Sequence, residues 1–114
     1  MTSEPLDVVI VPFPFTDSTD SEASRRRPAL VLSSETFHAG HGHSILAMIT
    51  STRADWPSDV SIRDWREAGL HVPCKVRFKL FTLDESLIIR RVGRLSEEDG
   101  SAVKEALGRV LALA

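Results

Sequence analysis

The sequence predicts a compact, mainly antiparallel β barrel with one C-terminal helix packed on it. Several short apolar runs with strand character follow one another, and only the last segment has helical spacing. The 114 residues are the ordinary size of one domain. Strands in series followed by a helix favour a barrel over a βαβ architecture. We therefore expect one domain over residues 7–114, preceded by a disordered lead-in over residues 1–6.

Three strands are predicted in the first half of the chain. Asp7 to Val11 is rich in β-branched residues, and Pro12-Phe13-Pro14 ends it. Pro28 to Ser33 and Ile45 to Thr50 are almost continuously apolar. Runs of this kind are typical of strands buried on both faces.

The second half is predicted to contain three more strands and a turn. Asp59 to Ile62 forms a short strand, and Asp64 to Ala68 forms one helical turn that Gly69 ends. Lys75 to Phe81 alternates charged and apolar residues, the pattern of a half-exposed strand, and Leu87 to Leu95 is the last strand.

An amphipathic helix is predicted from Ser96 to Leu113. Ser96 followed by Asp99 has the form of a capping box. Apolar residues then recur at helical spacing, at Val103, Leu107, Val110 and Leu111.

Two polar segments are predicted to be loops. Thr16 to Ser24 is a long exposed loop, and His38 to Ser44 is glycine-rich and turn-like. The three histidines of the second segment suggest a metal site, but the glycines and the lack of a nearby cysteine favour a plain loop. No metal or cofactor is therefore predicted.

Composition limits location and partners. The lone Cys74 has no partner for an intramolecular disulfide, and no run approaches the roughly 18 apolar residues of a membrane span. The acidic N-terminal stretch has no signal-peptide pattern, so a cytoplasmic location is expected. The net charge of −2 does not exclude nucleic-acid binding, because the basic residues are clustered.

Arg27 is the first candidate functional residue. It ends the run Arg25-Arg26-Arg27 and directly precedes Pro28 at the start of a buried strand. Proline biases the residue before it toward an extended conformation, so the guanidinium projects from a rigid base. Guanidinium binds phosphate bidentately and stabilises developing negative charge. The alternative is a solvated charge run beside a strand.

Further candidates come from hydroxyl and aromatic residues. Thr50-Ser51-Thr52 follows a strand directly, where binding groups are common, although such residues also form simple turns. Trp56 and Trp65 are candidates for stacking on RNA bases, or else pack in the core or at a dimer interface. His71 is isolated and is not assigned a role.

These motifs resemble those of the MazF/PemK toxins. The resemblance rests on Asp7-Val-Val-Ile-Val-Pro-Phe, Arg27-Pro28-Ala-Leu-Val-Leu-Ser, Ile49-Thr50-Ser51 and Phe81-Thr82-Leu83-Asp84, and on the closing helix. It implies an SH3-like barrel, shared with the CcdB toxins. It also implies a homodimer that cleaves single-stranded RNA without a metal and is neutralised by a cognate antitoxin protein.

Carried over by motif, the catalytic residues are Arg27 and Thr50. In this interpretation the RNA 2′-hydroxyl attacks phosphorus, leaving a 2′,3′-cyclic phosphate and a 5′-hydroxyl. Glu22 is the candidate general base, with two nearby loop aspartates as competitors, or else it is a solvated loop residue. Arg26 and Ser51 are candidate RNA contacts.

One motif departs from the family. Where many relatives have Gln-x-Arg followed by Thr or Ser, this chain has Lys79-Leu80-Phe81-Thr82. The second family arginine is absent. Lys75, Arg77 and Lys79 are predicted to lie on one exposed face and to contact RNA phosphates, or else to form a solvated β face.

Two other functions remain open for this fold. One is a gyrase poison of the CcdB type, because fold does not fix function. The other is an RNA-binding regulator that has lost cleavage. Arg27 and Thr50 favour the nuclease.

Overall fold

A computed structural model of the chain describes residues 3–12 and 26–113. The elements are β1 (Asp7–Pro12), β2 (Arg26–Val31), α1 (Glu35–His41), β3 (His43–Thr50), β4 (Val60–Ser61), β5 (Lys75–Asp84), a 3-10 turn (Glu85–Leu87), β6 (Arg90–Arg94) and α2 (Glu97–Leu111). The six strands form one antiparallel sheet in the order β4-β5-β3-β2-β1-β6. The sheet curls into a half-barrel with α2 as the closing helix, which confirms the predicted fold class.

Both faces of the central strands are covered by apolar side chains. The first core cluster includes Val8, Leu30 and Ala47 and contains three apolar residues of α2, whereas Val110 and Leu111 at the end of that helix are exposed. The second includes Val9 and Leu46 on the opposite face. Neighbouring residues of one strand therefore enter different clusters, as the period of two requires. The prediction that the second and third strands are buried on both faces is confirmed.

A bulge interrupts β5. Ala47 pairs with Leu80 whereas Met48 pairs with Arg77, so Phe78 and Lys79 are extra residues on β5. Two extra residues keep the alternation of faces, so Leu80 still lies opposite the buried Ala47. Leu80 is nevertheless 37% exposed, so the burial that the alternation predicts for it is wrong.

The predicted loop from His38 to Ser44 is wrong, because this segment contains most of α1. Ser34 caps the helix, with its side chain accepting a hydrogen bond from the Phe37 N–H at 3.1 Å. Gly42 ends it in the left-handed conformation at φ 68°. Gly42 is thus the C-cap of α1, a position that favours a glycine because φ is positive. It does not mark a flexible loop.

The C-terminal helix is confirmed, and it begins after Ser96 as predicted. The Ser96 hydroxyl accepts a hydrogen bond from the Asp99 N–H at 3.2 Å. Asp99 does not complete a capping box. Its buried carboxylate instead accepts hydrogen bonds from the N–H groups of Arg63 and Asp64, at 3.0 and 2.9 Å. The first turn of α2 thereby holds the segment that follows β4.

That segment crosses β6 at unusually close range. A Cβ atom on Gly93 would lie 2.3 Å from the Ala68 carbonyl oxygen, and one on Gly69 would lie 2.2 Å from the Val92 carbonyl oxygen. Gly69 also has φ 86°. Two glycines therefore allow the turn over residues 63–69 to rest directly on the β6 backbone.

Part of the lead-in predicted to be disordered is packed on the barrel. Ser3 is buried, and the Leu6 N–H donates to the Val31 carbonyl at 2.7 Å. Leu6 also contacts the first core cluster. Packing thus begins at Ser3. None of the helices in the described part of the chain is long and apolar enough to span a membrane.

Candidate functional site

Arg27 and Thr50 come together at one end of the sheet. β2 and β3 are antiparallel, with Ala29 opposite Met48. Continuing that register by two residues sets Arg27 opposite Thr50. On its other side, β2 pairs Arg27 with Val11 of β1, and β3 pairs Thr50 with Lys75 of β5. Neighbouring strands therefore deliver both predicted catalytic residues to the same edge.

A cavity of about 490 Å³, here called cavity one, opens at this edge. Its walls include three arginines, Arg27, Arg90 and Arg91, and the hydroxyl residues Thr50 and Ser51. No aspartate or glutamate of the described residues lines it. Three guanidinium groups thus line the cavity, one of them paired with Asp7 outside the lining, and a lining of this kind suits an anion.

The Arg27 side chain has unused hydrogen-bonding capacity. Its Nε atom is buried and has no hydrogen-bond partner among the described residues. A buried donor without a partner is costly, so such an atom is a signal that something else binds there. Phosphate oxygens match the fork of N–H donors that a guanidinium presents.

The Thr50 hydroxyl is oriented by its own turn. It accepts a hydrogen bond from the Thr52 N–H at 3.2 Å. Because the oxygen is occupied as an acceptor on that side, the hydroxyl hydrogen remains to be donated elsewhere. Thr50 is thus a fixed donor at the mouth of the cavity.

Arg90 and Arg91 were not predicted as site residues. Arg91 Nε donates to the buried Asp7 carboxylate at 3.0 Å, and Arg94 donates to the same oxygen at 3.1 Å. Arg91 is therefore held in place by the first residue of β1. The signal available in the sequence was the cluster Arg90, Arg91 and Arg94, but only the pairing of β1 with β6 shows that two of these arginines lie beside Arg27.

A second cavity of about 390 Å³, cavity two, adjoins the first. The two share Thr50, Ser51 and Cys74. The walls of cavity two further include Arg53, Arg63 and Trp65. The two adjoining cavities, which meet at Thr50, Ser51 and Cys74, are together called the groove.

Lys75 and Arg77, two of the residues predicted to contact RNA, hold the loop that follows β3. Lys75 is ion-paired with Asp55 and donates to the Ala54 carbonyl at 2.9 Å. Arg77 donates to both carboxylate oxygens of Asp59, at 3.2 and 2.8 Å. Both basic side chains are only 12% exposed. The exposed basic face predicted for β5 is thus confined to Lys79.

The same loop is fixed by further contacts. The Arg77 guanidinium lies over the Trp56 ring, 4.7 Å from its centroid. The hydrogen bonds from Arg77, above all, hold the pKa of Asp59 below its ordinary value. Asp59 therefore stays ionised in neutral solution, and the pair anchors the segment that carries Ser51 and Arg53.

Cys74 and His71 also line cavity one. Burial raises the pKa of the Cys74 thiol, so it is protonated and a weak nucleophile at neutral pH. The three other histidines lie elsewhere. His38 is buried, with Nε2 2.6 Å from the Ser33 hydroxyl oxygen. Within residues 3–12 and 26–113, no three potential metal ligands of the His, Cys, Asp and Glu types converge.

The remaining predicted residues are placed as follows. Glu22 lies outside the described residues. Arg26 is exposed at the start of β2, and Ser51 is exposed within the groove. Trp56 belongs to the anchored loop, while Trp65 packs on the first core cluster and also lines cavity two.

Comparison with solved structures found close agreement of fold at low sequence identity. A MazE–MazF crystal structure from Deinococcus radiodurans matches with a TM-score of 0.76 and 20% identity, covering 100% of this chain and 99% of that one. Mycobacterium tuberculosis toxin MazF-mt6 matches with a TM-score of 0.73 and 22% identity, covering 95% and 98%.

A third structure, an endoribonuclease in complex with its cognate antitoxin from a Mycobacterial species, matches with a TM-score of 0.75 and 13% identity, covering 99% and 96%. A comparison with curated protein sequences found no significant match. The family model for PemK-like, MazF-like toxins of type II toxin-antitoxin systems matches residues 4–111. This match covers the sheet, the groove and α2, so the chain belongs to the PemK-like, MazF-like toxin family.

Proposed function

We propose that this protein is a sequence-specific endoribonuclease that cleaves single-stranded RNA without a metal and thereby inhibits translation and growth. The observation that carries the proposal is cavity one, where three arginines and the Thr50 hydroxyl converge with no acidic residue among the described residues. An anionic substrate fits this lining, and membership of the toxin family supports RNA as that substrate.

In the proposed reaction, the 2′-oxygen of RNA forms a bond to the adjacent phosphorus and the bond from phosphorus to the 5′-oxygen breaks. Negative charge increases on the non-bridging oxygens as the intermediate forms. Arg27 binds these oxygens through its fork of donors, and Thr50 donates its hydroxyl hydrogen to them. Arg91, held by Asp7, places a second fixed guanidinium in the same cavity.

The reaction also needs a group that takes the 2′-hydroxyl proton and one that protonates the leaving 5′-oxygen. Glu22 remains our prediction for the base. His71 lines cavity one and is the alternative that the described residues offer. Cys74 is unsuited to the task of base because its pKa is raised.

The test is cleavage of a mixed-sequence single-stranded RNA in EDTA, with mapping of cut positions and product ends. Wild-type protein is expected to leave 2′,3′-cyclic phosphate and 5′-hydroxyl ends. Arg27→Ala and Thr50→Ala should each lower the rate by about 10²-fold or more, as loss of a donor to a developing charge does. Thr50→Ser keeps the hydroxyl and should retain most activity.

Two controls define the result. Arg109→Ala removes an exposed α2 arginine, remote in sequence from the cavity walls, and should cleave normally. A substrate with 2′-deoxyribose at the cleaved nucleotide should stay intact, because it lacks the nucleophile. If RNA of every sequence stayed intact, the nuclease proposal would be wrong, and a gyrase poison or a non-cleaving RNA-binding regulator would replace it.

We further propose a homodimer and a cognate antitoxin whose acidic segment covers the groove. Two exposed apolar side chains, Leu87 and Ile89, lie just before β6 and are candidates for the dimer contact. Analytical ultracentrifugation should give twice the chain mass, reduced toward the monomer in Ile89→Glu. A native pull-down from the host should recover the antitoxin with wild type and lose it when Arg90 and Arg91 are changed to Glu. A monomeric wild type would contradict the first statement.

A further inference from the structure

One wall of cavity two is formed by residues, Trp65 and Arg63, that have no role in the proposed cleavage step. Trp65 is half-buried, packs on the first core cluster and lines the cavity. The Arg66 guanidinium lies over the ring, 4.7 Å from its centroid. The core and this cation hold the indole in place, so Trp65 is a fixed apolar wall of cavity two.

The backbone of this wall is also fixed. The buried Asp99 carboxylate accepts hydrogen bonds from the Arg63 and Asp64 N–H groups. The Arg63 side chain begins at this anchored point, is exposed, and has no ion-pair partner among the described residues. Lys75, another cation of the cavity wall, is neutralised by Asp55. Arg63 is therefore an available donor from a rigid base, whereas Arg53 lies on the loop.

The size and position of the cavity fit one unstacked base. Its volume of about 390 Å³ lies in the range of roughly 300–1,000 Å³ that is typical of small-molecule pockets. It shares Thr50, Ser51 and Cys74 with cavity one, so its occupant would be a direct neighbour of the reacting phosphate. Single-stranded RNA is read in this way, by bases splayed onto aromatic side chains and bonded at their edges.

We propose that cavity two binds the base of a nucleotide flanking the cleaved phosphate and that it prefers guanine. This inference rests on the proposed nuclease function. Trp65 supplies the apolar wall. Arg63 donates to the O6 and N7 acceptors, the pair that an arginine fork matches best among the base edges. A phosphate contact by Arg63 is the competing interpretation, and the experiment separates the two.

The experiment compares cleavage of a randomised single-stranded RNA by wild type, Arg63→Gln, Trp65→Phe and Trp65→Leu. Wild type should show a guanine preference at one position next to the cut. Arg63→Gln should reduce that preference about tenfold, which corresponds to the lower part of the discrimination that a bidentate arginine–guanine pair gives. Trp65→Leu should lower the rate for preferred sequences more than Trp65→Phe, while the cut position and product ends stay the same.

A second arm replaces the preferred guanosine by 7-deazaguanosine, which lacks the N7 acceptor. The substitution should slow wild type several-fold and leave Arg63→Gln unaffected. Arg109→Gln, with its arginine in α2 outside both cavity walls, should match wild type throughout. Thermal unfolding of each variant shows whether Trp65→Leu still folds, and the exposed Arg63→Gln keeps the test valid if it does not.

Several results would overturn the inference. An unchanged guanine preference in Arg63→Gln and both Trp65 variants would do so. So would a uniform loss of rate on all sequences in Arg63→Gln together with a weaker salt dependence, because that is the behaviour of a phosphate contact. Absence of cleavage by wild type would instead count against the nuclease function itself, so the two failures are distinguishable.

Discussion

At the scale of single residues, two side chains of the candidate site have an unused hydrogen-bond donor. Arg27 has a buried Nε without a partner among the described residues, and Thr50 keeps its hydroxyl hydrogen after accepting the Thr52 N–H. Both are donors that a phosphate oxygen would complete. Both project from strand ends, where the sheet fixes the backbone that carries them.

The identity of the general base in the proposed reaction can be tested by the pH dependence of the cleavage rate. If Glu22 is the base, Glu22→Gln should lower kcat by about 10²-fold or more and remove the acid limb of the pH–rate profile, while His71→Asn should leave the limb in place. The reverse pattern would assign the task to His71. Single-turnover cleavage rates between pH 5 and 9 distinguish the two residues. If Glu22→Gln and His71→Asn both keep the acid limb, neither residue is the general base.

Prediction from sequence was most successful for residues whose role follows from their strand. Arg27 and Thr50 flank β-branched runs, so their placement at strand ends was readable. Lys75 and Arg77 were not, because their partners Asp55 and Asp59 lie far back in the chain. Arg90 and Arg91 were missed for the same reason, since only long-range pairing of β1 with β6 brings them to Arg27.

At the scale of elements, the loop between β3 and β4 owes its shape to an ion pair. Arg77 and Asp59 hold each other in a half-buried setting beside the Trp56 ring. Because the pKa of Asp59 is lowered in the folded state, its contribution to the free energy of unfolding is full above its ordinary value of 3.8. The contribution is lost as the pH falls through the lowered value.

Asp59→Asn should therefore lower the free energy of unfolding at pH 7 by about 1.5–3 kcal/mol, the scale of a hydrogen bond to a charged group. Urea unfolding at pH 7 and near pH 3 measures it, and the gap between wild type and variant should narrow at the lower pH. Glu67→Gln, an exposed carboxylate on the next turn, should behave as wild type. A gap that widens in acid would contradict the assignment.

The crossing of the 63–69 turn over β6 leads to a second prediction at this scale. Gly93→Ala places a Cβ 2.3 Å from the Ala68 carbonyl oxygen, so the turn must shift, at a cost of about 1–3 kcal/mol as in other overpacked sites. Thermal or urea unfolding should show the loss.

Gly108→Ala is the matched control. Nothing lies within 4 Å of a Cβ at that position in α2, so the same change should stabilise the protein by about 0.5–1 kcal/mol. Equal effects of the two substitutions would show that backbone freedom, and not the close approach, governs Gly93.

Elements with a clear period were predictable, and those decided by caps or bulges were not. The β-branched and apolar runs marked β1, β2 and β3, and Ser96 marked the start of α2. By contrast, α1 has no clear apolar period, and its cap residues Ser34 and Gly42 are also common in loops. The bulge in β5 has no local signature, since it depends on how β3 pairs with it.

At the scale of the whole molecule, the slightly acidic total charge conceals a separation of charge. Among the described residues, no aspartate or glutamate lines cavity one, where three arginines lie. Asp7, Asp59 and Asp99 lie within the fold and pair with arginine side chains or backbone N–H groups. Net charge alone therefore could not predict the anion site. Its prediction required the sheet topology, which sets strand ends side by side.

Asp99 belongs to the α2 helix, yet it holds the backbone from which Arg63 reaches cavity two. The C-terminal helix and the groove are therefore not separable modules. A chimaera that imports residues 63–66 from a relative to change cleavage specificity would have to import the first turn of α2 with them. Inherited variation in specificity should accordingly leave its mark at both places in the chain.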